Sequence, residues 1–284
     1  MSNPVKQPKK IIKLAAVQMA SGPNVNANLI EVSRLIHLAA DAGADLVVLP
    51  ENFAIMGMKE QDKVKVSEAL GDGPIQAFLS EQAKKYGIWL VGGTIPLKSS
   101  NPNKVRAACL VYDEQGKLKA HYDKTHLFDV HIYQSGENYN ESETIEPGDE
   151  IVVVDTPFGK LGLAICYDLR FPEMFRSMAD LGVDIIAIPS AFTAVTGKAH
   201  WEPLLRARAI ENLSYVVAAA QGGYHVNGRE SHGDSMIVDQ WGQIMDRLQS
   251  GSGFVIANFD REQLRKVRKT FPVLEHRKIV CTVK

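Results

Sequence analysis

Cys166 ends an apolar run, Leu161-Gly-Leu-Ala-Ile165, and is followed by Tyr-Asp-Leu-Arg-Phe-Pro-Glu173. Such a run reads as a strand covered on both faces, and Pro172 stands where the first turn of a helix tolerates proline. A thiol at that junction meets backbone N–H groups that favour the thiolate, lower its pKa and can later hold an oxyanion. On position alone, an inert buried cysteine fits equally well. Two other groups end strands: Glu51, after Asp45-Leu-Val-Val-Leu-Pro50, and Lys124, at the close of a predicted hairpin. Strand ends are where α/β folds gather their reactive side chains. Together the three make a nucleophilic set, in which Glu51 takes the thiol proton, Cys166 attacks a carbonyl and Lys124 stabilises the oxyanion. Taken singly, Glu51 and Lys124 also fit solvated strand ends. Arg170, two residues beyond Asp168, suits either a substrate carboxylate or a pair with that acid.

Other chemistries find less support. The histidines show no HExxH spacing, and His126 and His131, five apart in a predicted loop, read as structural. No two cysteines form a CxxC pair. Gly92-Gly93 and Gly222-Gly223 follow strands without a GxGxxG or P-loop pattern, so they read as turn or close-packing glycines. With 32 basic and 33 acidic residues, a formal net charge of -1, the chain carries no basic stripe for nucleic acid or a membrane surface. Cys109, Cys166 and Cys281 are an odd number, which argues against a disulfide framework and for a reducing compartment. The lysine-rich start lacks a signal-peptide core, and no apolar span of membrane length follows, so a cytoplasmic protein is expected.

The elements that must position these residues alternate. A strand over 13–19 leads through an asparagine cap into a helix with Leu29, Val32, Leu35, Ile36 and Ala39 at helical spacing, ending at Gly43. A strand over 45–51, a helix from Gly73-Pro74 to Gly87 and a strand over 88–91 follow, and then a hairpin turns at Asp113-Glu-Gln-Gly116. The polar segment 131–150 has no clear periodicity, and a loop that long is more often functional than idle. The chain then repeats itself: Ala39-Ala-Asp-Ala-Gly-Ala-Asp-Leu-Val-Val-Leu-Pro-Glu-Asn-Phe53 lines up with Met178-Ala-Asp-Leu-Gly-Val-Asp-Ile-Ile-Ala-Ile-Pro-Ser-Ala-Phe192. A helix over 204–210, a strand over 215–220 and a hairpin over 236–245 continue the second copy, and a short helix from Asp260 to Lys269 opens the tail. The expected fold is α/β, a four-layer α-β-β-α sandwich made from a duplicated strand-helix half. One domain is expected, with halves at about 11–130 and 151–258 and a tail over 259–284.

Three stretches in order, Leu49-Pro-Glu-Asn-Phe53, Tyr122-Asp-Lys-Thr-His-Leu-Phe128 and Ile165-Cys-Tyr-Asp-Leu-Arg-Phe-Pro-Glu173, resemble the Glu, Lys and Cys signatures of the nitrilase superfamily of carbon–nitrogen hydrolases. The resemblance implies Glu51 as general base, Lys124 as second triad member and Cys166 as nucleophile, with no metal or organic cofactor. It further implies a second glutamate near the pocket, which Asn140-Glu141-Ser142 ahead of Pro147-Gly148 places at Glu141, in a loop crowded by Glu137, Glu143 and Glu146. Ala199-His-Trp-Glu202, Leu205-Arg-Ala-Arg-Ala-Ile-Glu211 and Ala218-Ala-Ala-Gln221 are similar to the Nit branch, particularly its deaminated glutathione amidases. The implied activity is amide hydrolysis through a cysteine thioester, with Arg170 and Tyr167 as substrate-binding candidates. The alternatives are an ω-amidase acting on α-ketoglutaramate, an N-acyltransferase, or a non-catalytic scaffold, which the intact Glu51, Lys124, Cys166 set disfavours. The implied partners are a small-molecule amide and further copies of the chain, at least a homodimer, with the helix around Phe175 and Met178 as a candidate to lie at the two-fold axis.

Overall fold

The computed structural model describes residues 11–134 and 136–279. The first half runs β1 (Ile12–Gln18), α1 (Val25–Asp41), β2 (Leu46–Val48), a short α2 (Asp62–Lys65), α3 (Pro74–Tyr86), β3 (Trp89–Val91), β4 (Ile95–Lys98), β5 (Val105–Tyr112) and β6 (Leu118–Asp123). A small hairpin, β7 (Asp129–Ile132) and β8 (Glu137–Asn140), leads to β9 (Val153–Thr156). The second half continues with β10 (Gly159–Leu163), α4 (Pro172–Asp180), β11 (Ile185–Ser190), α5 (Ala194–Asn212) and β12 (Tyr215–Ala220). Last come β13 (Gly222–Tyr224), β14 (Glu230–His232), β15 (Ser235–Val238), β16 (Ile244–Leu248), β17 (Gly253–Phe259) and α6 (Arg261–Thr270).

Two large sheets result, ordered β17-β1-β2-β3-β5-β4, with β6 beside β5, and β16-β15-β12-β11-β10-β9, and β7-β8 and β13-β14 form two-stranded ones. In each large sheet, three parallel strands (β1-β2-β3, β10-β11-β12) are flanked by antiparallel ones. The sequence repeat is therefore a structural repeat, with one crossing: β17 pairs with β1 as β9 pairs with β10, so the end of the second half closes the edge of the first sheet. Period-two alternation divides the faces. Leu14, Ala16, Leu46 and Val48 face the core shared with the second sheet, whereas Ala15, Val17, Val47 and Leu49 pack with Val32, Leu35 and Ile36 of α1 and Leu79 of α3. Both faces being covered, the strands are apolar almost throughout, and the layers are α-β-β-α.

Local signals account for most element ends. Asn24 caps α1 by accepting from the Ala27 N–H, Pro74 opens α3, and Gly87, at φ 61, closes it in the left-handed conformation. Two expectations are corrected. The segment 131–150 is not an aperiodic loop, because its first part pairs as β7–β8, two short strands too polar to show alternation. The helix expected over 204–210 begins ten residues earlier, at the Thr193 cap, and runs through Gly197 and Pro203. Gly197 is required there, since a Cβ would meet the His232 ring at 2.3 Å. Phe175 and Met178 of α4 are wholly buried in this chain's own core, so any surface that helix offers to a second copy is its opposite side. No helix among the described residues is long and apolar enough to cross a membrane. Cys281 lies outside the described residues.

Candidate active site

Glu51, Lys124, Glu141 and Cys166 line one cavity of about 270 Å³. Each is delivered by the end of a regular element. Glu51 follows β2 in a tight turn whose next residue, Asn52, has φ 56 and donates its N–H to Thr94 Oγ1 at 2.8 Å. Gly93 makes room for that turn, because a Cβ there would fall 2.1 Å from the Pro50 carbonyl oxygen. From the second half, the buried Gln221 donates through Nε2 to the Glu51 carbonyl at 2.9 Å and to Ser21 Oγ at 2.7 Å. Lys124 leaves β6 wholly buried, and its Nζ lies 2.8 Å from Glu51 Oε1 and 2.9 Å from Glu141 Oε1. The other Glu141 oxygen accepts the Phe128 N–H at 2.7 Å. Of the acids that crowd this loop, Glu146 pairs with Arg106 and Glu143 accepts from Asn140, so Glu141 is the one that meets the lysine.

Cys166 stands at φ 46, the left-handed region, at the head of a 3-10 turn that spans Cys166–Arg170. A non-glycine residue held there costs on the order of 1–3 kcal/mol, so the surroundings must fix it. Asp168, buried in the same turn, does so. It accepts from the Ile165 N–H at 2.8 Å, the Tyr122 hydroxyl at 2.7 Å and the His126 N–H at 3.1 Å, with His126 Nδ1 at 2.8 Å. The turn carrying the thiol is thereby tied to the strand and loop that carry Lys124. Arg208 of α5 adds two bonds to the Leu169 carbonyl.

Electrostatics overturn one expectation. A 3-10 turn, not the start of α4, follows the thiol, and the Cys166 pKa is pushed well above its ordinary value instead of being lowered. Burial is the main cause and the Glu51 carboxylate the next, against which Lys124 and the Ala191 N–H pull the other way. Burial also penalises the Lys124 ammonium, but the Glu141 and Glu51 carboxylates outweigh it and raise its pKa well above the lysine range. The resting arrangement is a neutral thiol, kept so by burial and the Glu51 charge, beside a permanent cation. A raised thiol pKa means that the neutral form persists through neutral pH. Ultraviolet thiolate absorbance, taken as wild type minus Cys166→Ser, is therefore expected to stay flat up to about pH 9. A thiolate signal at neutral pH would show the opposite sign of shift.

Tyr167 and Arg170 line the cavity. Arg170 lies over the rings of Phe192 (5.1 Å) and Tyr167 (5.7 Å), with Nη1 3.1 Å from His200 Nδ1. Asp168 takes its bonds from elsewhere, so the alternative of an Arg170–Asp168 pair is not realised. His126 stacks on Phe171, and His131 meets Asn138 across β7–β8, both structural as expected. Sequence reasoning missed the rest of the lining, chiefly Lys63 and Glu60 near α2, Tyr139 of β8 and Arg229 ahead of β14. These lie in short irregular segments whose spacing carries no signal.

Fold and site together define a hydrolase of carbon–nitrogen bonds other than peptide bonds, built around a buried cysteine. The chain belongs to the carbon–nitrogen hydrolase family, whose sequence model matches residues 13–269. It is 40% identical over 275 residues to a deaminated glutathione amidase of Yersinia enterocolitica, covering 96% of each chain. A human protein of that name is 39% identical over 93% of this chain and 82% of its own. Among solved structures, Saccharomyces cerevisiae Nit3, a member of branch 10 of the nitrilase superfamily, superposes with a TM-score of 0.85 at 34% identity over 95% of this chain and 97% of its own. The C. elegans NitFhit protein gives a TM-score of 0.88 at 37% identity over 96% of this chain, which spans 66% of the length of that one.

Proposed function

We propose that this chain is a deaminated glutathione amidase, releasing the amine from an anionic α-keto acyl amide through a thioester on Cys166. The observation that carries the mechanism is Lys124 Nζ held by Glu51 and Glu141 in the cavity that Cys166 lines, with a thiol kept neutral by burial and the Glu51 charge. Glu51 takes the Sγ proton as sulfur attacks the amide carbon. Two of the three Nζ donors are engaged by carboxylates, and the third is left for the developing oxyanion. Collapse breaks the C–N bond while Glu51 returns its proton to the departing nitrogen. In the second half-reaction, Glu51 takes a proton from water, hydroxide adds to the thioester, and the sulfur leaves as the thiol with that proton. Glu141 keeps the ammonium in place and consumes nothing.

Substrate choice follows from charge. Lys124 is matched by two carboxylates, whereas Arg170 is a half-buried cation among aromatic rings with a fork suited to the carboxylate of the acyl group. Deaminated glutathione is expected to be hydrolysed in preference to α-ketoglutaramate, and neutral nitriles poorly. Arg170→Lys keeps the charge but loses the paired contact, so it should raise KM for α-keto acyl amides by about tenfold and alter small neutral amides less. Comparing kcat/KM for the three substrates on wild type and variant checks both points. Nitriles as best substrates would remove the amidase reading, and equal penalties on charged and neutral amides would make Arg170 structural. At least a homodimer is expected in solution, and light scattering that reports a single protomer at micromolar concentration would contradict it.

A further inference from the structure

The cavity wall carries a second cationic centre. Arg229, from the turn ahead of β14, reaches Glu60 with Nη2 at 2.6 Å, and Lys63 of α2 reaches the other Glu60 oxygen at 3.1 Å. The Arg229 guanidinium also lies 5.2 Å from the centre of the Tyr139 ring. All four residues line the same cavity as Cys166. Two cations share one carboxylate, so the cluster is net positive. Lys63 above all, and Arg229 after it, hold the Glu60 carboxyl at a pKa of about 2 against the effect of burial, which keeps Glu60 ionised as the fixed centre of the cluster.

A charge account of the lining then separates three places. The reactive centre, with Glu51, Glu141 and Lys124, is net negative while the thiol is neutral, and so repels a further carboxylate. Arg170 is one positive place and the Arg229–Lys63–Glu60 cluster is another. Glu143 and Glu230, the remaining acids on the lining, are exposed, and water screens them. A cavity with two net positive places around a negative reactive centre matches a substrate that carries one carboxylate on each side of the scissile amide.

We propose that Arg229, held by Glu60 and seconded by Lys63, is the subsite for the carboxylate of the departing amine, so that the enzyme selects amides whose leaving group is a peptide with a free C-terminus. This rests on the amidase reading above and adds to it a residue and a rule. Arg170 takes the carboxylate of the acyl part. In deaminated glutathione the departing amine is cysteinylglycine, whose terminal carboxylate Arg229 meets, whereas α-ketoglutaramate releases ammonia and has nothing to place there. The Glu60 contact uses Nη2 and fixes the side chain before substrate arrives, which lowers the ordering cost of binding. The rest of the guanidinium remains to grip a carboxylate.

The test uses the intact enzyme with α-ketoglutaryl-cysteinylglycine and the same compound capped as its C-terminal carboxamide, which differ only in that carboxylate. Wild type is expected to favour the free acid by about tenfold or more in kcat/KM, mostly through KM. Arg229→Gln should bring the ratio of acid to carboxamide close to one, Arg229→Lys should keep part of it, and Arg170→Lys should lower both substrates while leaving the ratio in place. Equal rates on the two compounds in wild type would overturn the subsite and leave the amidase reading standing. So would an Arg229→Gln penalty of the same size on both, which would make the ion pair a mere tie between α2 and the β13–β14 hairpin. Failure of wild type to hydrolyse either compound while it turns over unrelated amides would remove the substrate reading and the subsite together.

Discussion

Cys166→Ser is expected to leave a folded protein whose turnover has fallen by about four orders of magnitude. The substitution changes one atom in a residue that is 8% exposed and keeps its shape, so circular dichroism and the thermal midpoint should match wild type closely. Chemistry is lost because the serine hydroxyl is a far weaker acid and nucleophile than the thiol. Glu51→Gln is expected to lower turnover by about two to four orders of magnitude, since the base is removed while Lys124 keeps its bond to Glu141. The two losses should not add: once the proton has no acceptor, the identity of the nucleophile matters little, and the double variant should be no slower than about the worse single one. Steady-state amide hydrolysis measures all three. Iodoacetamide should label Cys166, which lines the cavity, and spare Cys109, which is wholly buried away from it. Near-normal turnover by Cys166→Ser would exclude the thiol from the mechanism.

The residues proposed as reactive were legible because each ends an element with a clear period. An apolar strand that stops on Glu51, a hairpin that stops on Lys124 and an apolar run that stops on Cys166 are all visible in one dimension, and the internal repeat places them at corresponding edges. Glu141 came from resemblance alone, and no spacing announces its bond to Lys124. What stayed hidden depends on through-space neighbours. The thiol pKa follows burial and the Glu51 charge, not the turn type. Asp168 stood in plain view, but its four contacts come from Ile165, Tyr122 and His126, so local sequence offered Arg170 as its partner instead. The crossing of β17 onto β1 is long-range pairing, and the Arg229 cluster joins α2 to a turn over a hundred and sixty positions away. Phe175 and Met178 pack into the chain's own core, a cover that helical spacing alone does not identify.

Lys124→Met is expected to be the most damaging single change in stability as well as in turnover. The ammonium is 2% exposed and is shared by two carboxylates, of which Glu51 is 3% exposed. Methionine fills much of the volume, so the penalty is electrostatic: the buried Glu51 and the partly buried Glu141 are left facing each other without a cation, at a cost of up to about 3–5 kcal/mol. In wild type the Lys124 pKa is raised, so its contribution is fully present below the ordinary lysine value and lost only as pH rises through the higher folded one. Over the acid and neutral range the wild-type ammonium is therefore constant. In the variant, the two carboxylates repel each other most when both are charged and no cation stands between them, so the fold weakens as pH rises. The gap between wild type and Lys124→Met should widen from about pH 4.5 to about pH 7 in urea denaturation. Adding Glu51→Gln to Lys124→Met should recover part of the loss in stability while recovering no activity, because it removes one of the two stranded charges together with the base. A gap that is the same at both pH values, or a double variant weaker than Lys124→Met, would mean that the lysine stem packs the site more than its charge balances it.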